Sequence, residues 1–147
     1  MKKVIILNVC VLIFIILTAG VYARPNTDSE MIAALLENRI AILNHYYGGK
    51  MNYDDARTNI QRIAADSLLK EDLRLMKAFD GEDVDQVASF DLDIVNCQRT
   101  SYGIIKGQAD IYWLMQGEKG RWDTQESYYF TAEDDQGEVK LTQLKKL

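Results

Sequence analysis

The 147-residue chain holds one histidine, one proline and two cysteines, and each scarcity removes a class of chemistry. A zinc site needs several nitrogen or sulfur ligands, and His45 with Cys97 is too small a set, so no metal and no cofactor is expected. A nucleophilic serine or cysteine needs a histidine to activate it. His45 projects from the polar side of a helical pattern and Cys97 falls in a strand pattern, so no such pair is available. Cys10 lies in an apolar N-terminal run, remote from Cys97, which excludes an intramolecular disulfide and leaves stability to packing. The glycines of Gly117-Glu118-Lys119-Gly120 sit in a hairpin pattern, without the strand-to-helix context of a phosphate-binding loop.

Positive charge is also scarce. With Lys2, Lys3 and Arg24 set aside, 14 of the 17 basic residues face all 22 acidic ones, a balance of −8 for the remainder. Such a body repels phosphate backbones, so nucleic acid is excluded as a partner class.

Long hydrophobic runs are absent but for one, from residue 4 to residue 23, with no charged residue and only Asn8 and Thr18 as polar side chains. As a helix it would measure about 30 Å, enough to cross a bilayer. Lys2 and Lys3 before it place the start of the chain in the cytoplasm. The competing reading is a cleaved signal peptide, whose end Val21-Tyr22-Ala23 would fit. Both alternatives put the rest of the chain outside the cytoplasm, either tethered by a single pass or secreted. The expected organisation is an anchor or signal peptide over 1–25 and one folded domain over 26–147, the size of a single core.

Thr27 followed by Glu30 is a capping box that opens a helix. Ile32, Leu36, Ile40, Leu43 and Tyr47 then recur at helical spacing as far as the Gly48-Gly49 stop. Asn52, with Asp55 three residues on, opens a second helix that presents Ala56, Ile60, Ile63 and Ala64. The spacing predicts a third helix from about Ser67 to Phe79, with Leu69, Leu73 and Met76 on its inner side and Leu68, Leu75 and Phe79 beside them. From Val87 the period changes to two. Phe90, Leu92 and Ile94 share a phase; so do Ile105, Ala109, Ile111, Trp113 and Met115; so do Trp122, Tyr128 and Phe130; Val139 and Leu141 follow. Turn residues separate four strands of an antiparallel meander. Gly103 and Gly107 predict a bulge or sharp bend in the second strand. Helices first and strands after give an α+β fold, three helices packed on one face of a curled four-stranded sheet.

The aromatic pair Tyr46-Tyr47, the glycine turn and the sequence Tyr53-Asp54-Asp55-Ala56 resemble the helix-turn-helix opening of the NTF2-like superfamily, of cystatin-like α+β cone architecture. That resemblance implies a cone of helices against a bent sheet, seen in isomerases, dehydratases, adaptors and assembly subunits. One N-terminal membrane helix before an extracytoplasmic domain of this kind is similar to the VirB8-like subunits of bacterial secretion and conjugation machines. It implies a non-enzymatic protein that binds a partner or itself at the membrane.

The alternative is a small-molecule-binding or isomerase-like domain, because NTF2-like enzymes carry an interior carboxylate or histidine. Glu126 shares the strand phase of Trp122, Tyr128 and Phe130, so it points inward unless a bend turns it to water or Arg121 or Lys106 draws it to the surface. Trp113, Glu126 and Tyr128 are therefore the ligand-pocket candidates, and no complete catalytic set is evident. Asp110 falls on the polar phase. Asp54 and Asp55 suit the first turn of a helix, where the dipole favours negative charge. Asp80, Glu82, Asp83 and Asp85 lack the ligand order of a calcium loop and fit a solvated connection.

Overall fold

The computed structural model describes residues 27–81 and 84–147; the apolar N-terminal segment, Cys10, Glu82 and Asp83 lie outside them. Three helices, α1 (Asp28–Tyr47), α2 (Tyr53–Ile63) and α3 (Asp66–Ala78), precede four strands, β1 (Gln86–Arg99), β2 (Ile104–Gly117), β3 (Gly120–Asp135) and β4 (Glu138–Lys146). The sheet order is β1-β2-β3-β4, every pair antiparallel. The fold is α+β, with the helical layer on one face of the sheet.

Local chemistry sets the helix ends. Thr27 Oγ1 accepts from the Glu30 amide at 3.2 Å while the Glu30 carboxylate accepts from the Thr27 amide at 2.9 Å, a reciprocal box that satisfies two orphan donors. Asn52 accepts from the Asp55 amide at 2.9 Å and opens α2 in the same manner. Gly49, at φ 69°, takes the left-handed turn out of α1. Helix α3 has no side-chain cap. Its start is stitched to β4 instead: Ala64 forms a parallel bridge with Leu141, the Ala65 amide donates to Leu141 O at 2.8 Å, and the Ser67 hydroxyl donates to Thr142 O at 2.9 Å.

The core forms where these elements meet. Ile32 and Leu36 of α1 and Leu68 of α3 pack with Ala64 on Ile105, Ala109, Phe130, Ala132 and Leu141 of the sheet. Tyr47, expected in the core, is half-buried at its margin.

Two expectations are corrected. The buried side of α3 is Leu68, Asp72 and Met76, whereas Leu69 and Leu73 are half-buried and Leu75 is exposed. A carboxylate thus occupies a core position, with 1% of its surface exposed. Apolar spacing could not register it, because what admits Asp72 is Arg39 of α1, whose guanidinium donates through Nε at 2.9 Å and through Nη2 to the two carboxylate oxygens. The second correction concerns the glycines. Gly103 lies in the β1–β2 turn at φ 76°, and β2 runs through Gly107 in register, opposite Cys97 and Phe130. The irregularities are in β1, between Val87 and Ser89 and between Ile94 and Asn96. Gly107 is glycine because a Cβ there would sit 2.1 Å from Asn96 O and 2.6 Å from Phe130 Cζ.

Arg39→Ala strands the buried Asp72 carboxylate in the helical layer and should cost about 3–5 kcal/mol, whereas Arg39→Met with Asp72→Leu should recover most of the loss. Urea unfolding followed by tryptophan fluorescence measures both.

Candidate functional site

Strand β3 extends past β4, whose pairing with it stops at Tyr128. On the helix-facing row of β2, Ile105, Ala109 and Ile111 are buried, but the same row continues into Trp113 and Met115, which are only partly covered. Along β3, Phe130 and Ala132 are buried, Glu126 and Tyr128 half-buried, and Thr124 and Trp122 exposed. The uncovered end forms a groove of about 370 Å³ lined by Val87, Trp113, Met115, Trp122, Thr124 and Glu126. A smaller groove of about 150 Å³ adjoins it through Val87 and Trp113 and runs against Ile40, Leu43 and Tyr47 of α1. The wall they share is held by one side chain. Asn44 donates to Val87 O at 3.0 Å and accepts from the Val87 amide at 2.9 Å, so its amide pairs with β1 as another strand would.

Glu126 points into the larger groove. The β2–β3 ladder is unbroken from Ile104 opposite Glu133 to Gly117 opposite Gly120, which places Glu126 across from Ile111 on the helix-facing side. Its partners differ from those expected. Lys146 Nζ lies 2.5 Å from one carboxylate oxygen, and the Tyr128 hydroxyl donates to the other. Arg121 instead donates to Gln116 at 3.3 Å.

Lys146 was not legible as a partner. The β3–β4 turn pairs Asp135 with Glu138, a register that would bring Lys145 opposite Tyr128. A shift between Thr131 and Ala132 advances β4 by one residue, so that Lys146 takes that place on the inner face.

These contacts decide the charge state of the site. The Lys146 ammonium, and after it the Tyr128 hydroxyl, hold the Glu126 carboxyl below its usual range. Burial, then the bond to Glu126, pushes the Tyr128 phenol well above the usual tyrosine range. At neutral pH the pair is a carboxylate and a neutral phenol. A general base working near pH 7 gains from a carboxyl whose pKa is raised, and Glu126 moves the other way. Trp113 Nε1 is buried beside this pair without a hydrogen-bond partner. It is close enough to the Glu126 carboxylate to add a weak donor interaction, the smallest of those that lower the carboxyl's pKa, without the geometry of a full hydrogen bond. The three pocket candidates, Trp113, Glu126 and Tyr128, are thus brought together at one end of the sheet.

The other flagged residues stay apart from it. His45 is exposed in the last turn of α1, and Asp54 and Asp55 occupy the first turn of α2. Asp110 accepts from the Ser127 hydroxyl at 2.6 Å on the opposite sheet face. Cys97 is half-buried, its thiol pKa raised mainly by desolvation. Asp85 lines the smaller groove. Among the described residues no cluster of three or more histidine, cysteine or acidic side chains is arranged to hold a metal ion, and no helix is long and apolar enough to cross a membrane.

No protein-family profile matches this chain, and no curated protein matches it in sequence. Its structure is similar to a crystal structure of the intermembrane space region of the chloroplast protein ARC6, with a TM-score of 0.65 and 10% identity over 84% of this chain and 98% of that one. At that identity the likeness is one of fold.

A carboxyl whose pKa falls on folding adds stability above its unfolded value and loses it as the pH drops through its folded value. Acidification from about pH 5 to about pH 3 should therefore lower the urea midpoint of the native protein more than that of Glu126→Gln, which has no such charge to lose. Equal midpoint shifts would show that Glu126 is not held by Lys146 and Tyr128 in solution.

Proposed function

We propose that this chain is a non-enzymatic protein-interaction domain held outside the cytoplasm, with residues 1–25 as its membrane anchor or signal peptide and residues 26–147 as an NTF2-like domain. The groove at the end of β2 and β3 carries the reading. It presents the exposed indole of Trp122 with the half-buried Trp113 and Met115 beside a carboxylate that is already paired, a surface that buries apolar side chains of a partner more readily than it moves protons. The fold likeness to an intermembrane-space region supports the same reading, since that region too lies beyond a membrane. The plan of one membrane helix, then helices, then sheet favours a VirB8-like assembly role. The acidic balance makes the partner a protein rather than a nucleic acid.

One observation favours a second reading, that of a small-molecule-binding or isomerase-like domain. Trp113 Nε1 is a buried donor that makes no well-formed hydrogen bond and only weakly favours the ionised Glu126 beside it. A ligand with an acceptor at that point would satisfy it.

Crosslinked affinity purification of the full-length protein from its native membranes tests the first reading. A reproducible set of envelope proteins is expected, depleted several-fold in a Trp122→Ala, Met115→Ser variant that melts as the native protein does. The bait's own N-terminal peptide reports whether the anchor is retained. Recovery of the protein alone, processed and soluble, would contradict the reading. Glu126→Gln would then be the variant to assay for lost ligand binding.

A further inference from the structure

Strand β4 pairs with β3 from Asp135 back to Tyr128, and the Leu147 amide reaches Ser127 O at 2.9 Å. Among the described residues nothing pairs with the far edge of β3 from Gly120 to Glu126. Because Ser127 turns its carbonyl toward β4, the alternation of the strand turns the N–H and C=O of Arg121, Asp123 and Gln125 toward that same edge. The other sheet edges are protected. Ala64 and Ala65 bond to β4 at Leu141. Strand β1 is broken by two register shifts and carries Asp91 and Asp93. The β3 overhang carries charges of both signs, Arg121 and Asp123, but no described segment covers it and its register with β2 is unbroken, and Trp122 on it is 38% exposed.

We infer that this edge pairs with the same edge of a second copy of the chain, antiparallel, about a two-fold axis through Trp122. The inference rests on the reading of the domain as an interaction module and names its partner.

Charge selects both the occupant and the register. A two-fold at Asp123 would set two carboxylates directly opposite each other. A two-fold at Thr124 would set Trp122 against Glu126 of the other copy. A two-fold at Trp122 places Arg121 of each copy opposite Asp123 of the other, twice by symmetry, and opposite charges facing across strands are favourable. In this register Arg121 and Asp123 exchange backbone hydrogen bonds with their counterparts. The two Trp122 residues form the non-hydrogen-bonded pair between them, the closest side-chain approach in an antiparallel ladder. Space agrees with charge: the paired stretch ends at Gln125, short of Ser127, where Leu147 already holds the edge. Two copies therefore fit without displacing β4. The joined indoles then roof the groove floored by Trp113 and Met115, one copy's groove continuing into the other's.

The test uses the full-length chain in detergent micelles, with Cys10 and Cys97 changed to serine and one cysteine returned at a chosen position. Trp122→Cys should give a disulfide-linked dimer under mild oxidation in yield several-fold above Asp123→Cys, Gln125→Cys or the exposed control Thr100→Cys. Adding Arg121→Asp to Trp122→Cys should lower the yield several-fold, and adding Asp123→Arg to that pair should restore it. A yield at position 122 no greater than at Thr100, or one greatest at position 123, would overturn the proposal. Capture of other envelope proteins through the groove, with no self-crosslink at position 122, would likewise overturn self-pairing while leaving the interaction reading intact.

Discussion

The constraint on which the rest depends is a mismatch of length. Strand β3 has 16 residues and β2 has 14, and at about 3.3 Å per residue they run to roughly 50 Å. The longest helix, α1, has 20 residues and measures about 30 Å. It follows β1 from Arg99 to Val87, but among the described residues β4 pairs with β3 only from Asp135 to Tyr128 and α3 starts against β4, so the far end of β3 and the β2 residues beside it are left open. At the sealed end Phe130, Ile105, Ala109 and Leu141 meet Ile32 and Leu36. At the open end the same two rows continue with Trp113, which borders α1 across the smaller groove, with the half-buried Met115 and with the exposed Trp122.

Ion pairs locate the helices on the sealed end, and they differ in worth. Arg39 and Asp72 join α1 to α3 where the carboxylate is nearly free of water, so removing Arg39 leaves a charge that solvent cannot reach. Arg99, at the end of β1, holds Asp28 at the start of α1 and Asp134 near the end of β3. It pulls both carboxyls below their usual range. These groups are more exposed, and such pairs contribute little to stability; their effect is to tie three chain segments to one corner. Asn44 pins the start of β1 to the last turn of α1 by pairing with Val87. Lys146 and Tyr128 close the inner end of the open groove around Glu126. Apart from the Tyr128–Glu126 bond, each of these contacts joins residues distant in the chain.

What was legible in the sequence follows from whether the determining interaction is local. The capping box of Thr27 and Glu30, the cap at Asn52 and the alternation along β1 to β4 depend on near neighbours, and all are present in the structure. Glu126 was readable as inward because nothing interrupts the β2–β3 ladder. Asp72 was not readable as a core residue, since an apolar count passes over a carboxylate that a distant arginine neutralises. Lys146 reached Glu126 only through a one-residue shift in β4 that no turn signal marks. Gly107 was recognisable as special, but the cause is the close approach of Asn96 O and the Phe130 ring rather than a bend in its own strand. The segment between α1 and α2 is a joint, as the Gly48-Gly49 stop and the Asn52 cap indicate in the sequence: Gly48 and Gly49 end α1, Asn52 caps α2, and the Tyr46 hydroxyl donates to Met76 O at 2.7 Å to hold the joint against α3.

The central claim is that the uncovered end of β2 and β3 is the surface through which this domain acts. Site-specific photocrosslinking in the native cell tests it most directly, with a photoreactive residue placed in turn at Met115 and Trp122 in the groove and at Gln108 and Tyr129 elsewhere on the sheet. The account predicts discrete protein adducts from Met115 and Trp122 and none from Gln108 or Tyr129. Adducts confined to Gln108 and Tyr129, or equal at all four positions, would contradict it.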